Sequence, residues 1–229
     1  MTERVSTGIP GLDNLIEGGI PNGSVTLISG GAGTGKTTFC SEFLLQGLQN
    51  GEKCLFLSTE ELPDEILSDA KEFGWDFEAY EDDGLFRIEH ISPPNRPKYF
   101  REDVQDLIDA FEPDRIVIDS ISVFGTYWEN KRMVRSELTH LLKLLRDVDV
   151  VTLLTAEIPD TETGRLSRYG IAEFVVDGVI KLELISIGRD AFGTLEVRKM
   201  RKTAIEKGQF ELNMDDNGLS VGDETLEIE

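Results

Sequence analysis

Gly30-Gly31-Ala32-Gly33-Thr34-Gly35-Lys36-Thr37 has the spacing G-x-x-x-x-G-K-[ST], between an apolar run, Val25 to Ile28, and a helix-like segment reaching about Leu48. In that setting the motif has a mechanism. Glycines let successive backbone N–H groups turn toward phosphate oxygens, the Lys36 ammonium adds a point charge, and the Thr37 hydroxyl can hold Mg²⁺. The helix behind the loop aims its positive end at the same oxygens. A flexible glycine turn with a stray lysine would match the letters but not the strand before and the helix after. The expected nucleotide contacts are Gly31, Ala32, Gly33, Thr34, Gly35, Lys36, Thr37 and Thr38, with the loop at 30–38.

Outward from the loop, apolar runs at Val25–Ile28, Cys54–Leu57, Leu85–Ile88, Ile116–Ile118 and Val150–Leu154 alternate with helix-like segments near 37–49, 63–73, 99–111 and 131–147. The rhythm predicts an α/β fold with a mainly parallel, twisted sheet flanked by helices. After Tyr169 the pattern turns to strand-like pieces, Val175–Ile185, Gly193–Met200 and Gln209–Leu212, expected as antiparallel additions at one edge within a C-terminal β extension of about 175–221. The polar stretch Ile158 to Ser167 is expected as a mobile loop on the active-site face. No composition shift divides the 229 residues, so 1–229 is expected to form one domain.

The second half of a nucleotide site needs a metal-side carboxylate and a group that orients water. Arg115-Ile116-Val117-Ile118-Asp119 is an apolar strand ending in an acid, the form of a Walker B segment at 115–119, and places Asp119 with Thr37 as a metal ligand. Many strands end in Asp as a turn residue, and it is the pairing with the P-loop that gives this one weight. Cys54-Leu55-Phe56-Leu57-Ser58-Thr59 runs into Glu60-Glu61 at the same sheet edge, where either acid could abstract a proton from attacking water. Either could equally serve the start of the helix after Pro63. Glu157, after the strand Val151–Ala156, is a further sheet-edge carboxylate.

Composition narrows the classes. No apolar run approaches the ~20 residues needed to span a bilayer, and Met1 to Thr7 lacks the apolar core of a signal peptide, so a soluble, cytoplasmic protein without membrane insertion is expected. Cys40 and Cys54 lack metal-site spacing and are expected as buried, reduced thiols. The 44 acidic against 23 basic residues give a net charge of −21, which opposes nonspecific binding to nucleic acid or anionic membrane. Acids scattered through every segment suggest adaptation to a high-salt, halophilic cytoplasm, where screening over ~3 Å at molar salt relieves self-repulsion.

Ser6-Thr7-Gly8-Ile9-Pro10-Gly11-Leu12-Asp13, Gly18-Gly19-Ile20-Pro21-Asn22-Gly23, the P-loop, Ser58-Thr59-Glu60-Glu61, Phe73-Gly74-Trp75-Asp76, Val134-Arg135-Ser136-Glu137-Leu138 and Arg168-Tyr169-Gly170 follow one another in order. Together they resemble the KaiC branch of the RecA-like ATPases, including archaeal single-domain members. The resemblance implies a RecA-type core, ATP with Mg²⁺ as ligands, and a catalytic Glu60-Glu61 pair with Glu60 the expected base. It also implies a homo-oligomeric ring or filament with nucleotide between subunits. The family's K-x-R-G strand, which reaches a neighbour's γ-phosphate, is matched by Lys199 and Arg201, whereas Lys202 replaces the glycine and Ala204-Ile205 the small-residue and histidine ending. Clock-type relatives have two domains and a phosphorylated tail; Ser120, Ser122 and Thr126 are explained as well by turn chemistry, so kinase activity is not carried over.

The leading expectation is an ATPase whose nucleotide state controls assembly in regulation or signal transduction, with a protein signalling partner. A recombination accessory would bind single-stranded DNA through Arg165, Arg168 or the aromatic stretch Phe124 to Trp128, residues that subunit contacts and local core explain more simply. A nucleotide-binding interaction protein with little turnover is the third class. No N-K-x-D guanine-reading pattern is present, and adenine rests on the resemblance.

Overall fold

The strands, in chain order, are β1 (Arg4–Val5), β2 (Ile20–Pro21), β3 (Val25–Gly30), β4 (Cys54–Ser58), β5 (Phe86–His90), β6 (Arg115–Asp119), β7 (Val151–Glu157), β8 (Gly178–Ile187), β9 (Asp190–Met200), β10 (Phe210–Asp215) and β11 (Gly218–Thr225). The computed structural model describes residues 2–91, 97–124, 131–158, 166–168, 170–187 and 190–226. Among them, nine strands join in the order β11-β10-β9-β8-β3-β7-β6-β4-β5, while β1 and β2 pair apart. The six strands from β8 to β5 are parallel and β9, β10 and β11 continue the sheet antiparallel. The architecture is the expected α/β one.

Side chains alternate between the two faces of the sheet, as the pleat requires. Ile28, Cys54, Phe56 and Val117 join the core beneath the helices Lys36–Gln49 and Pro63–Glu72. Val25, Leu27, Leu55, Leu57, Ile116 and Ile118 face the other way, toward Pro97–Phe111 and Lys131–Asp147. Both helix-covered faces bury continuous apolar strands, which explains why those runs were legible as strands.

The segment expected as antiparallel from Val175 to Ile185 begins with a short helix, Ala172–Val175, and its strand β8 runs parallel to β3, Gly178 beside Thr26 and Leu182 beside Gly30. Only its other edge, toward β9, is antiparallel. The hairpin-like link to β9 dominated the local pattern, while the pairing with a strand some 150 residues earlier has no local signal. The final strand β11 and the helix Phe77–Asp82 were also not anticipated.

Arg115 ties the site's foundations together. It is 1% exposed, bonds Glu52 through Nε at 2.5 Å, donates to the carbonyls of Ser6 and Phe43 at 2.8 Å each, and stacks 4.6 Å from the Phe43 ring. One guanidinium thus clamps the N-terminal segment and the P-loop helix to the start of β6. Cys40 and Cys54 are buried free thiols, with burial the main force raising the Cys54 pKa to about 12.

Candidate nucleotide site

β3, β4, β6 and β7 end together at the carboxyl edge of the sheet, with Gly30 beside Glu157 and Ser58 beside Asp119 in register. Ligands of open α/β sheets bind at this edge. The P-loop leaves β3 there and enters the helix Lys36–Gln49 through Gly35, whose φ of 86° is the left-handed conformation glycine adopts readily. Gly30 is required for space as well: a Cβ on it would lie 2.4 Å from Thr34 Oγ1 and 2.7 Å from the Leu182 carbonyl. The P-loop helix has neither a side-chain cap nor an acid in its first turn. Its leading N–H groups therefore suit an anion. By contrast, the helix Pro63–Glu72 opens with Asp64 and Glu65, and Glu65 accepts the Leu62 N–H at 2.9 Å.

A cleft of about 440 Å³ stands over this edge, lined by Ala32 to Thr38, Ser58, Glu60, Glu61, Asp69, Asp119, Ser120, Glu157 and Met214. Lys36 Nζ donates to the Gly31 carbonyl at 2.7 Å, and Thr37 Oγ1 donates to Asp119 Oδ2 at 2.8 Å. The other Asp119 oxygen accepts from the Thr155 hydroxyl. A hydroxyl and an oriented carboxylate side by side form the hard-oxygen donor set that Mg²⁺ takes alongside substrate phosphates. Ser120 Oγ donates to Glu60 Oε1 at 2.8 Å, and the Ser120 backbone is held on both sides by the Thr59 hydroxyl, which accepts its N–H at 2.9 Å and donates to its C=O at 2.8 Å. Desolvation, followed by the Asp119, Asp69, Glu65 and Glu60 carboxylates, raises the Glu61 pKa.

Of the residues expected from sequence, Ala32, Gly33, Thr34, Gly35, Lys36, Thr37, Thr38, Glu60, Glu61 and Asp119 line the cleft, and Gly31 contributes its carbonyl to Lys36. Glu157 lines it too, its N–H donating to Ser122 Oγ at 2.8 Å. Lys199 and Arg201 do not. Lys199 sits opposite Val179 on β8, which is beside Leu27, so this basic pair belongs near the start of β3 rather than at its P-loop end. Arg165 and residues 125–128 lie outside the described residues; Phe124 is buried and packs edge-on against Phe100, with ring centroids 5.0 Å apart, as part of the core. Leu166, at the end of the expected mobile stretch, accepts a bond from Ser29 through its carbonyl, and Arg168 is exposed.

Sequence reasoning missed Thr155, Met214 and the role of Ser120 toward Glu60. A threonine two residues before the end of a buried strand was a faint signal for the first. Met214 had none: it comes from the β10–β11 hairpin, and its Cε lies 2.8 Å from where a Cβ on Gly35 would stand.

Comparison with known proteins matches residues 5–225 to the family model described as ATPase: KaiC. The chain belongs to the KaiC family of ATPase domains. The circadian clock protein KaiC3 of Synechocystis is 35% identical over 218 residues, covering 91% of this KaiC-type chain and 43% of that protein. The chain therefore spans less than half the length of that clock relative. A UPF0273 protein of Pyrococcus furiosus is 33% identical over 237 residues, covering 96% of this chain and 94% of its own. The solved structure of a KaiC-like protein from the hyperthermophilic archaeon Pyrococcus horikoshii superposes with a TM-score of 0.88 at 37% identity, covering 97% of this chain and all of the other. The fold is the KaiC-type RecA-like one, and the family is one of ATPases. Among the described residues, no helix is long and apolar enough to cross a membrane.

Proposed function

We propose that the chain, acting as a single domain over 1–229, hydrolyses ATP at an interface between copies of itself, and that its nucleotide state controls assembly in a regulatory or signalling role. The observation that carries this reading is the meeting, in one cleft, of the P-loop, the Thr37–Asp119 pair and a Glu60 carboxylate held by Ser120. The substrate's phosphates lie along the N–H groups of residues 31–38 with Lys36 against the β- and γ-oxygens. Thr37 and Asp119 would hold Mg²⁺, which when bound neutralises phosphate charge. Glu60, oriented by Ser120, positions and deprotonates the attacking water. Glu61, whose proton affinity is raised, offers a second acceptor.

Lys199 and Arg201 complete the reaction from outside. Both stand away from their own cleft, and the Arg201 side chain is 60% exposed, so Arg201 suits contact with a neighbour's transferring phosphoryl group, with the half-buried Lys199 beside it. The test is complementation. Lys36→Ala removes the phosphate-binding charge and Arg201→Ala the donated one, so each is inactive alone. A co-assembled mixture places intact clefts beside intact basic strands and regains part of the ATPase activity. Co-assembly without any recovery would refute action across the interface, and wild-type turnover by Lys36→Ala would refute the site itself.

A further inference from the structure

Arg201 is not a loose arginine on a strand end. Its backbone N–H donates to the Asp177 carbonyl at 3.0 Å, and its Nη1 donates to Asp177 Oδ1 at 3.1 Å. Asp177 immediately precedes β8, and its side chain is 14% exposed. The same carboxylate is already engaged: Arg146, from the helix Lys131–Asp147, donates through Nη2 to both oxygens at 3.0 Å and through Nε to Oδ2 at 3.1 Å. The Val25 N–H, at the start of β3, donates to Oδ2 at 3.2 Å. Arg146 is itself anchored by the Val175 carbonyl at 2.9 Å.

The arrangement divides the labour between the two arginines. A free carboxylate beside a guanidinium would take it in a bidentate pair and cancel its charge. Here Arg146 occupies both oxygens, and among the described residues the Arg201 guanidinium is held through one nitrogen only. The contact sets where the guanidinium stands and leaves the rest of its donor fork for another anion. Three cations, Arg146, Lys199 and Arg201, stand against two carboxylates, Asp177 and Glu173, so the cluster stays positive in a chain whose net charge is −21. Burial is the main force lowering the Lys199 pKa, with Arg201 and Arg146 adding to it while Asp177 and Glu173 work the other way.

We infer that Asp177 is the positioning residue for the donated arginine, holding Arg201 by one nitrogen while Arg146 saturates the carboxylate, so that Arg201 is presented, still charged, to the nucleotide of a neighbouring copy. This rests on the reading that Arg201 acts across a subunit interface. Loss of the hold leaves the arginine chemically intact but unfixed, and a misplaced group forfeits rate rather than substrate binding.

The experiment measures ATPase kinetics of Asp177→Asn, Arg146→Ala and Arg201→Ala alongside Lys36→Ala, each confirmed as folded and co-assembling. Asp177→Asn is expected to lower kcat on the order of tenfold with KM for ATP little changed, since its own cleft is untouched. Arg146→Ala frees the carboxylate to capture Arg201 in a bidentate pair and is expected to lower kcat in the same way; it also carries the test if Asp177→Asn does not fold. Mixing supplies the readout that a merely structural lesion would not move. Asp177→Asn should recover activity beside Lys36→Ala, whose basic strand is intact, and should not recover beside Arg201→Ala. An inactive Arg201→Ala together with full kcat in Asp177→Asn, or in Arg146→Ala, would overturn the positioning role and leave action across the interface standing. Asp177→Asn that stays inactive when co-assembled with Lys36→Ala would assign the residue to the fold instead. Full activity in Arg201→Ala would sink the underlying reading, and this inference with it.

Discussion

Glu42 lies on the P-loop helix with 7% of its surface exposed, packed against the turn of the β10–β11 hairpin. Its Oε2 accepts the Leu219 N–H at 2.8 Å, and a Cβ on Gly218 would come within 2.8 Å of that oxygen and of the Trp75 indole. Desolvation pushes the Glu42 pKa up to about 7; the bond from Leu219 opposes that rise and Asp215 adds to it. The unfolded chain gives up this proton near the ordinary 4.5 while the folded chain keeps it to about 7, so the contribution of Glu42 to stability is fully present below 4.5 and is lost as pH rises through that window. The interval from 4.5 to about 7 corresponds to about 3 kcal/mol at ~1.4 kcal/mol per pH unit, and screening by solvent at the hairpin reduces this to about 2 kcal/mol. Glu42→Gln keeps the shape and the acceptor for Leu219 but cannot ionise. Denaturant unfolding of both proteins at pH 5, 6, 7 and 8 in constant KCl isolates the effect, because the carboxylates away from Glu42 titrate alike in the two. Relative to wild type, the variant should gain about 2 kcal/mol between pH 5 and pH 8. Parallel stability curves would refute the reasoning. The consequence reaches the cleft, since the same hairpin carries Met214 over Gly35.

Glu60→Gln should retain ATP binding and lose most hydrolysis, with a smaller loss in Glu61→Gln; single-turnover kinetics showing the reverse order would exchange the two roles. Arg115→Ala removes a buried guanidinium, taking one bond from each of the Ser6 and Phe43 carbonyls and the ion pair from Glu52, so a destabilisation of about 3–5 kcal/mol is expected by chemical denaturation. A loss under about 1 kcal/mol would mean that the clamp is dispensable. The charge of −21 predicts unfolding midpoints that rise from ~0.1 M to molar KCl as the screening length falls from about 10 Å to about 3 Å. A flat or falling curve would exclude a salt adaptation.

What the sequence determined by itself is local or repetitive. The P-loop is a contiguous set of backbone conformations, so its glycines, Lys36 and Thr37 carry their geometry with them, and the apolar runs of β3, β4, β6 and β7 announce strands buried on both faces. Asp119, Glu60 and Glu61 were legible because parallel strands in one sheet end at a common edge, so a strand-terminal acid has a predictable address. Tertiary structure decided whatever depends on which distant segments meet. Gly178 to Leu182 became a parallel neighbour of β3, and Met214 closed over Gly35 from a hairpin at the far end of the chain. Ser120 took Glu60, Thr155 took Asp119, and Asp177 held Arg146 through both oxygens and Arg201 through one of them. A hydrogen bond is set by ångström-scale placement of two side chains, and residue type and spacing say nothing about that placement until the sheet order brings the strands together.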